Sequence, residues 1–215
     1  MHLLREGYWS NLFADGVISM TRTFIALELD TSQQHFLGTI IRQGKEALPE
    51  LRWVNPVGIH LTVAFLGELS DQQLAKASLA AQSAAATVDP FLYRFSGLGT
   101  FGSPHQPRVL WMGISESSGV LIHVYQILTL ALEQQGFTTE KRPFSPHLTL
   151  ARMKSPLRSE QFQLLQQLLS YNTDASPAYR ATHLCVMKSE FAHSGAHYTC
   201  LQICPLKKLM PKEEK

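Results

Sequence analysis

The spacing of apolar and polar positions changes several times along the chain, and each change marks an element. Residues 23–29, TFIALEL, form a short apolar run that predicts a strand. From 31 to about 48 the period becomes helical. Phe36, Leu37, Ile40 and Ile41 fall on one face, and Thr31 with Gln34 has capping-box spacing. Residues 53–56 predict a loop and 60–66 a second strand. An Ala-rich helix follows to about 87, opened by the Ser70/Gln73 pair and stopped by Pro90. Strands over 91–96 and 109–114 flank a Gly/Pro-rich loop, 99–107. A helix from 120 to about 135 turns Val120, Leu121, Val124, Ile127, Leu128 and Ala131 inward, with Gly136 just past its end. Residues 147–151 predict a strand and 161–169 a helix. Residues 181–191 and 197–204 alternate around Ser194-Gly195, as a hairpin does.

The order of elements repeats approximately. Each half has paired strands, a helix between strands and one strand that begins with a histidine. The expected fold class is α/β of the α+β kind: two pseudo-symmetric lobes of antiparallel sheet with helices outside. Residues 20–205 are expected to form one bilobal domain. Residues 1–19 read as an extension outside the fold, and 206–215 as a frayed, charged tail. No glycine fingerprint follows a strand, which argues against a dinucleotide fold.

Composition changes this picture little. Of 215 residues, 45% are hydrophobic and 17% charged, enough for a sizeable core. The net charge of +2 is too mild to announce a nucleic-acid-binding domain, yet it allows a local basic patch. Three cysteines late in the chain, Cys185, Cys200 and Cys204, make a poor disulfide framework and read as free thiols of a cytoplasmic protein. No apolar run reaches the roughly 18 residues of a membrane span, so no membrane partner is expected.

Chemistry enters through two near-identical tetrapeptides, His60-Leu61-Thr62-Val63 and His147-Leu148-Thr149-Leu150. Each has a proline four residues before its histidine, Pro56 and Pro143. In a strand, residues i and i+2 share a face, so each motif presents an imidazole and a hydroxyl on one side and aliphatics on the other. Opening a cyclic phosphodiester needs a base for water and an acid for the leaving ribose oxygen. One neutral and one protonated histidine supply both near neutral pH. Threonine hydroxyls donate to the phosphate oxygens where charge builds. One His-x-Thr is ordinary on a half-exposed strand; a second copy in matching context needs a reason that packing does not give. Nothing in the pattern requires a metal or other cofactor.

The doubled motif resembles the two-histidine phosphoesterase superfamily. HLTVAFLGE (60–68) and RPFSPHLTLAR (142–152), with FIALEL near the start and RVLWMGI at 108–114, are similar to bacterial RNA 2′,3′-cyclic phosphodiesterases, also called 2′-5′ RNA ligases. The resemblance runs from about 22 to 204. It implies a cleft between the lobes and hydrolysis of RNA 2′,3′-cyclic phosphate ends, those of tRNA halves included, to 2′-phosphates, with reversible 2′-5′ ligation beside it. His60 would be the proton donor to the 3′-oxygen and His147 the acceptor from water, an assignment that the residues alone leave open. Thr62, Thr149 and Arg152 would bind the phosphate. Simple alternation puts Arg152 on the face opposite His147, so the strand must end or bulge before it.

Lesser candidates each carry a structural alternative. Arg108 either meets the RNA backbone or is a solvated strand-edge arginine. Phe144 either stacks on a base or packs in the core. His105 either touches substrate or is an exposed loop residue. His123 reads as structural. His193 and His197 have the i, i+4 spacing of helical metal ligands, but Ser194-Gly195 between them signals a turn, so no metal site is assigned. Two other functions stay open: a two-histidine enzyme for small cyclic nucleotides or RNA 3′ tails, and a non-catalytic module that binds RNA ends. A monomer is expected.

Overall fold

The computed structural model describes residues 20–171, 173, 176–192 and 195–207. The rest, including residues 1–19, His193 and Ser194, and the tail from 208, lie outside the described residues. Strands are β1 (Thr21–Glu28), β2 (Arg52–Trp53), β3 (His60–Leu69), β4 (Phe91–Ser103), β5 (Gln106–Ser115), β6 (His147–Arg152), β7 (Tyr179–Ala181), β8 (His183–Ala192) and β9 (Gly195–Pro205). Helices are α1 (Thr31–Ala47), α2 (Asp71–Ala85), α3 (Val120–Gln134) and α4 (Ser159–Leu169), with a 3-10 turn at Pro56–Gly58. Among the described residues every strand pairing is antiparallel. One sheet has the order β3-β1-β8-β9 and the other β2-β6-β5-β4-β7.

The two-lobed α+β expectation is met, with one correction: the lobes are not the two halves of the sequence. The first sheet closes with β8 and β9 from the end of the chain, and β2 joins the second sheet. The helices cross over as well. α1 leaves β1 of the first sheet and packs on β4 of the second, where Gln33 donates to the Tyr93 hydroxyl at 2.5 Å and Phe36 lies 5.6 Å from Phe95. α3 leaves β5 of the second sheet and reaches β3 of the first, packing beside α2. The repeat is thus strand, crossing helix, histidine strand, helix. Residues of both sheets and all four helices share one core, which includes Leu37, Leu61, Ala81, Leu110, Leu128, Leu148 and Leu165.

Three boundaries shift for physical reasons. The cap of α1 is Asp30 with Gln33, one residue before the expected pair: Asp30 accepts from the Gln33 N–H at 2.9 Å, and Gln33 Oε1 accepts from the Asp30 N–H at 2.8 Å. The Ser70/Gln73 box holds as expected. The Gly/Pro segment 99–107 is not a loop but the end of a β4–β5 hairpin, with His105 exposed at its tip. Gly99 is there because the Trp111 indole covers it; a Cβ would come within 2.2 Å of the ring. At the C-terminal end, Leu206 is buried, and the Leu206 and Lys207 N–H groups donate to Thr182 and Val88 carbonyls, so the chain is held through Lys207.

Candidate active site

The register of each motif strand decides which side chains share its open face. On β3, His60 lies opposite Glu28, Thr62 opposite Ala26, Ala64 opposite Ile25 and Phe65 opposite Phe24. Val63 has no partner: it is the extra residue of a bulge. Phe24 and Ala26 belong to a small cluster with Cys185 and Met187, while Ile25 and Leu27 point into the main core. His60, Thr62 and Phe65 therefore lie on the face away from the core.

β6 repeats this pattern residue for residue. His147 lies opposite Gly113, Thr149 opposite Trp111, Ala151 opposite Leu110 and Arg152 opposite Val109. Leu150 is the unpaired residue, at the same motif position as Val63. Leu150 and Ala151 are both buried and Arg152 is exposed. The bulge required by the sequence is present, and it brings Arg152 onto the face of His147 and Thr149. The two motif strands belong to different sheets, yet they approach to within 8 Å between Cα atoms. His-Thr-Phe of one strand and His-Thr-Arg of the other thus lie on the open faces where the two sheets meet.

The two imidazoles are held in the same way. His60 Nδ1–H donates to the Gly58 carbonyl at 3.0 Å, and His147 Nδ1–H donates to the Ser145 carbonyl at 2.7 Å. A carbonyl only accepts, so Nδ1 carries the hydrogen in both rings, and Nε2 is the acceptor nitrogen of the neutral imidazole. Their surroundings differ. His60 stacks on Phe24 with ring centroids 4.5 Å apart and meets the edge of Tyr198 at 4.7 Å. Burial pushes its pKa below the ordinary 6.5, against the opposing pull of the Gly58 carbonyl and the Glu28 carboxylate. His147 meets the edge of Phe101 at 4.7 Å and has only Gly113 opposite.

Other expected residues fall outside this pair of triplets. Phe144 stacks on Tyr125 of α3, centroids 4.5 Å apart and planes 3° apart, so one of its faces is covered. Arg108 is the extra residue of a bulge in the β4–β5 ladder; its carbonyl accepts from the Met153 N–H at 2.9 Å. His105 stays at the hairpin tip and His123 is exposed on α3. His197 sits on β9 opposite Glu190, in a strand rather than on a helix.

Sequence reading missed the aromatic supports Phe24, Tyr198 and Phe101, and also Phe65, which is 75% exposed beside the cleft. It missed Arg52, which lies opposite Arg152 on β2. It also missed Glu28, which accepts from the Cys185 thiol at 2.8 Å and stands 3.8 Å from His183 Nε2. Glu28, His183 and Cys185 are the one group among the described residues whose potential ligand atoms gather within 4.8 Å. None of the three is a motif residue, and Glu28 is the direct partner of His60 across the β1–β3 ladder. Only the length-six spacing from His60 to Phe65 and its match to His147–Arg152 could have flagged Phe65 in advance.

A family model for the 2′-5′ RNA ligase superfamily matches residues 35–190. The chain belongs to the 2′-5′ RNA ligase superfamily. Both histidine motifs fall inside the matched segment. Among its relatives, the RNA 2′,3′-cyclic phosphodiesterase of Geobacillus stearothermophilus is 33% identical over 129 residues, covering 60% of this chain and 41% of that protein. The chain thus spans less than half the length of that relative. The protein of the same name from Methanothermobacter thermautotrophicus is 25% identical over 85% of this chain and 97% of its own. In solved structures, TT0787 of Thermus thermophilus shares this fold at a TM-score of 0.71 and 24% identity, over 86% of this chain and 98% of its own. E. coli LigT, crystallised with 3′-AMP, matches at 0.68 and 25% identity, over 88% of this chain and all of its own.

Proposed function

We propose that this superfamily member hydrolyses 2′,3′-cyclic phosphate ends of RNA to 2′-phosphates, without a metal in the chemical step. The observation that carries the reading is the pair of His-x-Thr triplets on strands that approach to within 8 Å between Cα atoms, each imidazole pinned at Nδ1 with Nε2 left for chemistry. The names of the relatives point to the same substrate.

In this reading the cyclic phosphate sits between the walls. Thr62, Thr149 and Arg152 donate to its non-bridging oxygens, where charge grows in the transition state. His147 Nε2 takes a proton as the water oxygen attacks phosphorus. The bond from phosphorus to the 3′-oxygen breaks, and His60 Nε2 delivers its proton to that oxygen. The products are a 2′-phosphate and a free 3′-hydroxyl; solvent then resets both rings. Approach of the 5′-hydroxyl of a second RNA in place of water runs the same machinery as 2′-5′ ligation. Burial disfavours the charged form of His60 in the free protein. The anionic phosphate and Glu28 act the other way, so His60 charges as substrate docks. Phe65 offers an exposed ring beside this site on which a base can stack.

The reading takes tRNA halves among the RNA ends. It treats the protein as a monomer, because one chain supplies both walls, and as cytoplasmic, in keeping with free Cys185, Cys200 and Cys204. Among the described residues no helix is long and apolar enough to cross a membrane.

Replacing either histidine by alanine should lower turnover roughly 10²–10⁴-fold, the worth of one acid–base group. A substrate with an activated phenol leaving group separates the roles, since its departing oxygen needs no proton. His60→Ala should recover much of its rate on that substrate, and His147→Ala should not. Equal recovery of both, or recovery of His147→Ala alone, would reverse or remove the assignment.

A further inference from the structure

The strand pairing beside the second motif puts two arginines against each other. Arg52 and Arg152 are direct partners across the β2–β6 ladder, so their side chains share a face, and that face is the one carrying His147 and Thr149. Like charges directly opposite in a sheet cost stability unless an anion lies between them. Both arginines are exposed. Among the described residues, the ion pairs are Arg22–Glu68, Arg142–Glu140, His183–Glu28, Lys188–Glu190 and Lys207–Asp89, and none of them neutralises either arginine. Glu50, two residues before Arg52, accepts instead from Gln161 Nε2.

β2 is two residues long and is anchored by its other residue. Trp53 donates from Nε1 to the Leu48 carbonyl at 2.9 Å, and its ring lies against Gly44 of α1. The next N–H, of Val54, donates to the carbonyl of Leu150, the bulge residue, at 2.9 Å. Trp53 is thus locked on the helix side, which holds Arg52 on the cleft side, one strand outward from Arg152.

We propose that Arg52 binds the internucleotide phosphodiester next to the reacting cyclic phosphate, making the site selective for RNA chains over mononucleotides. The proposal rests on the cyclic phosphodiesterase reading. A terminal 2′,3′-cyclic phosphate has one neighbour along the chain, the phosphodiester on its own 5′-oxygen, and a nucleoside 2′,3′-cyclic phosphate lacks it. Arg152 holds the reacting group and Arg52 the next phosphate, so the two guanidinium charges are separated by two anionic groups rather than left to repel.

The test compares a short oligoribonucleotide ending in a 2′,3′-cyclic phosphate with the matching nucleoside 2′,3′-cyclic phosphate. Steady-state kinetics are measured on the full chain and on Arg52→Gln. On the oligonucleotide, KM should rise roughly 10-fold in Arg52→Gln, as for loss of one charge-assisted hydrogen bond, with kcat little changed. On the mononucleotide both constants should stay as they are. The slope of log KM against log salt for the oligonucleotide should fall by about 1, and Arg52→Lys should restore most of that slope. Equal effects on both substrates, or none on either, would overturn the role of Arg52 while leaving the phosphodiesterase reading intact. Absence of turnover of both substrates by the unmodified chain would overturn the underlying reading, and this proposal with it.

Discussion

Burial and charge act in opposite directions on His60. His60 lies among Phe24, Tyr198 and the strand above them, which lowers its pKa, and Glu28 opposes that shift without cancelling it. A proton-donating histidine with a depressed pKa is useful only if substrate raises it again. Titration of the His60 imidazole by NMR should give a midpoint below 6.5 in the free protein. The midpoint should move up when a nucleoside 2′-phosphate occupies the cleft, and down in Glu28→Gln, which removes a negative charge that favours the imidazolium. A midpoint that rises in Glu28→Gln, or one that ignores the bound phosphate, contradicts this account of the acid. The four motif residues were legible in the sequence because alternation alone puts His and Thr of each strand on one face. Arg152 needed a bulge that alternation does not contain, and the resemblance only required it. Arg52 was not legible at all: its role comes from which residue lies opposite it, and a two-residue strand leaves no periodic trace.

At the scale of elements, small residues mark where a ring presses on the backbone. Gly44 and Gly38 lie on the same helix and make opposite demands. A Cβ at Gly44 would come within 2.1 Å of the Trp53 ring, whereas one at Gly38 would meet Pro56 at an ordinary 3.5 Å. Gly44→Ala should therefore destabilise by about 1–3 kcal/mol through overpacking. Gly38→Ala should stabilise by about 0.5–1 kcal/mol, the gain of alanine over glycine inside a helix. Denaturant midpoints at constant m-value measure both, and shifts of the same sign would show that α1 does not press on β2 as described. Helices were the most legible elements, since Leu37, Ile40 and Ile41 recur at helical spacing and are buried as expected. The hairpin over 99–107 was misread because its glycines and prolines carry loop chemistry. Gly99 in fact makes room for Trp111, its direct partner in the β4–β5 ladder. The cap of α1 slipped by one residue because Asp30 and Thr31 are both good caps, and the strand ended one residue sooner than its apolar run.

For the whole molecule, the repeat in the sequence was real but its two copies are interleaved. Each copy sends its helix across to the other sheet, and the chain end returns to complete the first, so no lobe is a contiguous piece of sequence. Strand order depends on such long-range pairings and leaves no local signal. The interleaving has a structural result: the two motif strands, 87 positions apart by their histidine numbers, come side by side with matching bulges, which is the arrangement that the proposed phosphate site needs. The deciding measurement is to incubate the full chain, in excess chelator, with an RNA ending in a 2′,3′-cyclic phosphate and to identify the position of the phosphate in the product by NMR. The expected result is conversion to the 2′-phosphate at an undiminished rate in chelator and none with both histidines replaced by alanine. A 3′-phosphate product, or turnover that vanishes in chelator and returns with a divalent metal, would contradict it.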